Sequence, residues 1–185
     1  YDVAFTWRSS PVQIRLSPPL NIKNRFTKSM TSEEIVGIIP NTNAGFLGQK
    51  AYNLVVTNNR LIVASLTNEM RKEEANKARE QSKANGEGFL KSWANTMTSS
   101  RNIHKKYYSM PVESILNENP NNYSISVNEV KKIRIRNYMN FSEDKRRPNE
   151  IKIKWNSGKE TFKFTSITPN DAKTILKKTF GNLVK

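Results

Sequence analysis

The chain contains no cysteine, so disulfides, thiolate zinc sites and thiol nucleophiles are excluded together, and the redox compartment goes unread. Histidine is almost as scarce. A histidine metal site or a serine–histidine–aspartate triad would rest wholly on His104, the single histidine, which reads as a surface residue beside Lys105 and Lys106. No apolar run approaches the ~18 residues that cross a bilayer, and the first residues lack the basic-then-apolar order of a signal peptide. These absences lead to the expectation of a soluble, cytoplasmic chain, peripheral to a membrane if its charge is used there. Opening on Tyr1 and not Met leaves room for a further segment upstream.

Nucleotide-binding loops are missing as well. Gly45-Phe46-Leu47-Gly48 lacks both the phosphate-loop spacing and the dinucleotide-binding spacing of glycines, and reads as a turn. The acidic pairs Glu33-Glu34, Glu73-Glu74 and Glu143-Asp144 are sequence neighbours, which on a strand or helix do not face a common substrate. The expectation is a non-enzyme with no cofactor and no metal site; the open alternative is an enzyme whose site is assembled from scattered residues.

Acidic residues are also few: 16 Asp and Glu stand against 31 Lys and Arg, a formal net charge of +15. Such an excess attracts anionic partners, whether a membrane surface, an acidic protein or nucleic acid. With 36% apolar and 9% aromatic residues in 185, the chain has material for one compact domain.

Residues 1–31 hold Pro11, Pro18 and Pro19 around the alternating stretch Val12-Gln13-Ile14-Arg15-Leu16, an arm or extra edge strand. From Glu34 to Ile39 a short apolar run ended by Pro40 predicts a buried strand. Tyr52 to Thr57 and Arg60 to Ala64 flank Asn58-Asn59, a pair that tolerates positive φ and so predicts a two-residue hairpin turn. The composition then shifts to a charged, helix-favouring segment over 68–84, with Glu73 and Lys77 at i,i+4 spacing. A second helix starts at Phe89, where Phe89, Leu90, Trp93, Ala94 and Met97 recur with helical spacing. The aromatic rings of Phe89 and Trp93, with Tyr107 and Tyr108, are expected to pack against the sheet, a second contact surface being the alternative. A short helical turn over 111–116 follows, and the whole helical insertion occupies about 67–118.

Beyond it, Tyr123, Ile125 and Val127, then Val130, Ile133 and Ile135, predict two strands or one bent one. Ile151, Ile153 and Trp155, a turn at Asn156-Ser157-Gly158, and Phe162 and Phe164 predict a second hairpin. Thr168-Pro169-Asn170-Asp171 caps a closing helix with Ala172, Ile175, Leu176 and Phe180 on one face.

This order of elements, together with the string Tyr52-Asn53-Leu54-Val55-Val56-Thr57-Asn58-Asn59-Arg60-Leu61-Ile62-Val63-Ala64, resembles prokaryotic pleckstrin-homology-like (GRAM-type) domains, in which a Thr-Asn-x-Arg turn joins two apolar strands. The resemblance covers 32–185 outside the insertion. It implies an α+β fold: a bent antiparallel sheet or partly open barrel with a helical-hairpin insert and a C-terminal capping helix. It carries over no site residue by residue, and the fold hosts lipid, peptide and assembly functions alike.

The basic residues are concentrated. Between Lys131 and Lys163 lie eleven Lys and Arg against four Asp and Glu, a net +7 of the total +15. Strand parity places Arg134 with Arg136 and Lys152 with Lys154 on common faces. The candidate binding set is Lys131, Lys132, Arg134, Arg136, Lys145, Arg146, Arg147, Lys152 and Lys154, with Tyr123, Tyr138 and Phe141 as aromatic contacts able to stack on bases or enter a lipid interface. The leading reading is a binding or adaptor module for phospholipid head groups or an acidic protein. A nucleic-acid or ribonucleoprotein binder is the alternative, without an RNP, KH or helix-turn-helix signature.

Overall fold

The structure, a computed structural model, describes residues 32–45, 48–138 and 148–185. The expected arm or strand of 1–31, Phe46 and Leu47 of the predicted glycine turn, and the Lys145-Arg146-Arg147 loop with Phe141 lie outside the described residues.

Among the described residues, seven strands form one antiparallel sheet: β1 (Ile35–Ala44), β2 (Lys50–Thr57), β3 (Arg60–Ser65), β4 (Tyr123–Ser126), β5 (Val130–Arg136), β6 (Asn149–Trp155) and β7 (Lys159–Phe164), in the order β4-β3-β2-β1-β7-β6-β5. Helices α1 (Asn68–Ala84), α2 (Phe89–Arg101) and α3 (Val112–Asn117) stand between β3 and β4, and α4 (Pro169–Phe180) closes the chain.

The hydropathy of each strand follows from what covers it. Strands β2 and β3 read as unbroken apolar runs because both faces are buried. Leu54, Val56, Leu61 and Val63 enter the main core, while Val55, Ile62 and Ala64 meet Tyr107 and Ile115 in a smaller second core. A 3-10 segment, Ile103–Ser109, and α3 supply that outer cover. Strands β5 to β7 alternate instead, sending Ile133, Ile151, Ile153, Phe162 and Phe164 inward.

The sheet cannot be flat. Strands β4 and β5 lie at its opposite edges, yet only the 3-10 turn Val127–Glu129 separates them in sequence. That link reaches about 14 Å at most, whereas six flat inter-strand spacings measure about 29 Å. The edges therefore converge, and the sheet bends around one core shared by all seven strands. Strands β1 and β7 join the two halves at a single register position, Asn43 opposite Lys163.

Helix α4 covers that core with Ala172, Leu176 and Phe180. Thr168 caps its first turn by accepting from the Asp171 N–H at 3.1 Å. It sits close against β1 because Gly37 has no side chain: a Cβ there would lie 2.9 Å from Ile175 Cγ2. The tail then adds to the β5 edge, where the Lys185 N–H donates to the Ile133 carbonyl at 2.9 Å and the Ile135 N–H to the Lys185 carbonyl at 3.2 Å.

Some local expectations need correction. Pro40 does not end β1, which runs on to Ala44, because the proline falls in a register shift between Ile39 and Thr42, where a missing N–H is tolerated. The β2–β3 turn forms where expected but by other chemistry: neither Asn58 nor Asn59 has positive φ. The Thr57 hydroxyl accepts instead from the Asn59 and Arg60 N–H groups at 3.2 and 3.0 Å. Lys77 pairs with Glu74 at 3.2 Å, not with Glu73. Among the aromatics of the insertion, Tyr107 is buried, but Phe89, Trp93 and Tyr108 are exposed. Small residues fill the α1–α2 contact, so the large side chains point away from it.

Candidate functional site

The cationic surface foreseen from strand parity is the outer face of β5, β6 and β7. Register sets nine residues there in three rows: Lys132, Lys154 and Lys159; Arg134, Lys152 and Thr161; Arg136, Glu150 and Lys163. Seven are Lys or Arg and one is acidic, a net +6 for this grid. Spacing is about 4.8 Å across strands and about 7 Å along them.

Three directly opposed pairs carry like charge: Lys132 with Lys154, Arg134 with Lys152, and Lys154 with Lys159. Such pairs disfavour the sheet. Among the described residues, none of the seven cations forms an ion pair with a carboxylate. The crowding shows at Lys132, whose ammonium is held below its ordinary pKa first by Arg134 and then by Lys185. Arg136 is the exception in the third row. It donates to the Tyr138 hydroxyl at 3.5 Å, and that hydroxyl donates to Glu150 Oε2 at 3.3 Å, so its guanidinium is held more firmly protonated.

The structure brings together Lys132, Arg134, Arg136, Lys152 and Lys154 from the predicted set. Lys131 sits exposed at the irregularity between Val130 and Lys132, where β5 gains one residue against β6. That extra residue turns both Val130 and Ile133 inward despite their odd spacing. Tyr138 lies just past β5, half-buried, beside Arg136.

Tyr123 is not on this face. It shares the parity of buried Ile125 in β4, so it turns toward the core, where its hydroxyl donates to Glu160. Burial first, and then Glu160, push its phenol pKa well up. Together with Lys50, Tyr52, Arg71 and Asn121 it lines a polar cavity of about 660 Å3 at one end of the sheet. Glu160 points the same way as Ile153, its partner across the ladder, and so does not neutralise the outer grid.

Lys159, Lys163 and Lys185 complete the basic surface and were not in the predicted binding set. Parity along β7 could have found the first two; only register against β6 shows Lys159 opposite Lys154. Lys185 joins through the tail's pairing with β5, which no local pattern signals. Compared with known proteins, the chain matches no family model, no curated protein and no solved structure.

Proposed function

We propose that this chain is a pleckstrin-homology-like, non-catalytic binding or adaptor module that engages an anionic surface through the outer face of β5, β6 and β7. The anionic surface is one of phospholipid head groups or an acidic protein, and the location this implies is cytoplasmic and peripheral. Support for the fold reading comes from seven antiparallel strands bent around one core, a long insertion after β3 and a C-terminal helix across that core.

The observation that carries the function is the grid, unpaired with any carboxylate among the described residues: seven cations to one carboxylate, with like charges directly opposed. Placing them so disfavours folding, and an anionic partner relieves that repulsion on contact. Rigid strands fix the charges in two dimensions, which suits a broad charged surface. The nucleic-acid reading loses one stacking residue, because Tyr123 is turned inward and tied to Glu160.

Co-sedimentation with phosphatidylcholine vesicles, with and without phosphatidylserine, tests this beside gel shifts with RNA and DNA. We expect binding to the phosphatidylserine vesicles or to acidic proteins that falls steeply with salt and is lost when Lys152 and Lys154 are both changed to Glu. Binding indifferent to those changes refutes the assignment of this face. A shift with nucleic acid alone replaces it with the ribonucleoprotein reading.

A further inference from the structure

The helical hairpin is built inside out. Its two helices meet through small side chains: Ala78 and Ser82 of α1 and Thr96 of α2 are buried. Asn95 Nδ2 donates to Ser82 Oγ at 3.3 Å, and the Ser99 hydroxyl to the Glu74 carbonyl at 3.3 Å. The large apolar side chains of α2 face outward instead. Phe89 is 83% exposed, Leu90 80%, Trp93 58% and Met97 44%. Residues 89, 93 and 97 are four apart and form one stripe along the helix.

The stripe begins at the turn of the hairpin. Helix α1, 17 residues long, carries the hairpin about 25 Å from Thr67. At the turn, a Cβ built on Gly86 or Gly88 meets nothing within 4 Å. A contiguous apolar stripe held in water is unfavourable, and such patches mark contact surfaces.

Charge selects the occupant. Two copies of a chain carrying +15 repel one another, whereas an anionic bilayer attracts each. Phe, Leu and Trp are the side chains that settle at the boundary of head groups and acyl chains, and Lys91, which pairs with Glu87 at 3.0 Å, lies beside them on a stem long enough to keep its ammonium at the head groups. A hairpin held by small and hydroxyl-bearing residues also keeps its internal contact in lipid, since that contact does not depend on burying large apolar groups.

We propose that Phe89, Leu90, Trp93 and Met97 form a membrane-insertion edge that seats the hairpin tip in the interface of an anionic bilayer. This rests on the anionic-surface reading and names the bilayer as that surface. The cationic sheet face supplies long-range attraction, and the hairpin supplies depth.

Because the chain has no cysteine, a single one can be labelled uniquely. Leu90→Cys and, as a control at the exposed first turn of α4, Asn170→Cys would each carry an environment-sensitive fluorophore. They would be mixed with phosphatidylcholine vesicles containing or lacking phosphatidylserine and nitroxide-bearing lipid. The expected result is a blue shift and nitroxide quenching at position 90 on the anionic vesicles and neither at 170. In the unlabelled protein, Leu90→Ser and Trp93→Ser should each weaken vesicle binding on the order of tenfold with the thermal melt unchanged.

Anionic-vesicle binding with an aqueous probe at position 90 overturns the insertion edge and leaves the cationic-face reading standing. A blue shift at 90 that grows with protein concentration in the absence of vesicles overturns it in favour of a second copy. No binding to anionic vesicles by the parent chain overturns the bilayer for both surfaces.

Discussion

Arg60 closes on both carboxylate oxygens of Glu33, with Nε donating to Oε1 at 2.9 Å and Nη2 to Oε2 at 2.8 Å. The same carboxylate accepts the Thr57 hydroxyl at 2.6 Å. The Thr57-Asn58-Asn59-Arg60 turn thus binds the residues entering β1, and Asn58 adds its N–H to the Glu34 carbonyl at 3.1 Å. Thr179 of α4 donates to the Thr57 carbonyl at 2.7 Å, so turn, first strand and last helix meet at one point. Thr57 is fully buried, and Thr57→Val strands its partners. Urea unfolding should show a loss of about 2 kcal/mol.

Gly37→Ala should destabilise by about 1–3 kcal/mol, because its methyl group would press on Ile175 and lift α4 from β1. Ile175→Ala should recover part of this. A double-mutant cycle by chemical denaturation checks the coupling; independent, additive losses would show that the close approach is not what requires glycine.

Charge reversal on the grid should move stability and binding in opposite directions. Arg134→Glu turns the Arg134–Lys152 opposition into an attractive pair, raising stability by roughly 0.2–1 kcal/mol. Affinity for anionic vesicles should fall in the same variant. Thermal melts and sedimentation on one preparation read both.

Alkaline pH should unfold the chain through its tyrosines. The Tyr52, Tyr107 and Tyr123 phenols are all raised above their ordinary value of 10.0, by burial first and then by Glu160 or Glu118. Between the ordinary and the raised pKa the folded state binds more protons than the unfolded one. Their stabilising contribution is therefore complete below about pH 10 and is lost as pH rises beyond it. Tyrosinate absorbance from these three should appear together with unfolding, and Glu160→Gln should bring Tyr123 down toward the ordinary phenol range.

Where a signal was local, the residues announced the structure. The β2–β3 and β6–β7 hairpins, the span of α1 and the capped α4 follow from apolar periodicity, the Asn156-Ser157-Gly158 turn and Thr168-Pro169, although the Thr57 hydroxyl and not positive φ at Asn58-Asn59 closes the first hairpin. What depended on distant partners did not. The helical spacing of Phe89, Trp93 and Met97 predicts a stripe, but only the small residues it turns away from reveal that it faces outward. Parity placed Arg134 with Arg136, yet the repulsion with Lys152 and Lys154 needs register between strands. Tyr123 was misplaced although Ile125, two residues on, already marks its side as the core side.

The seam between β1 and β7 has a dynamic consequence. Its register position joins residues 43 and 163, about as far apart in sequence as any ladder in the fold, while every other strand pair but β3–β4 is a near neighbour along the chain. Loop closure of that length comes late in folding, after the hairpins have formed. One register position also makes the seam the easiest place to part again, so the two halves of the sheet are expected to breathe there. Amide exchange in the native state should be fastest, within the sheet, along that line.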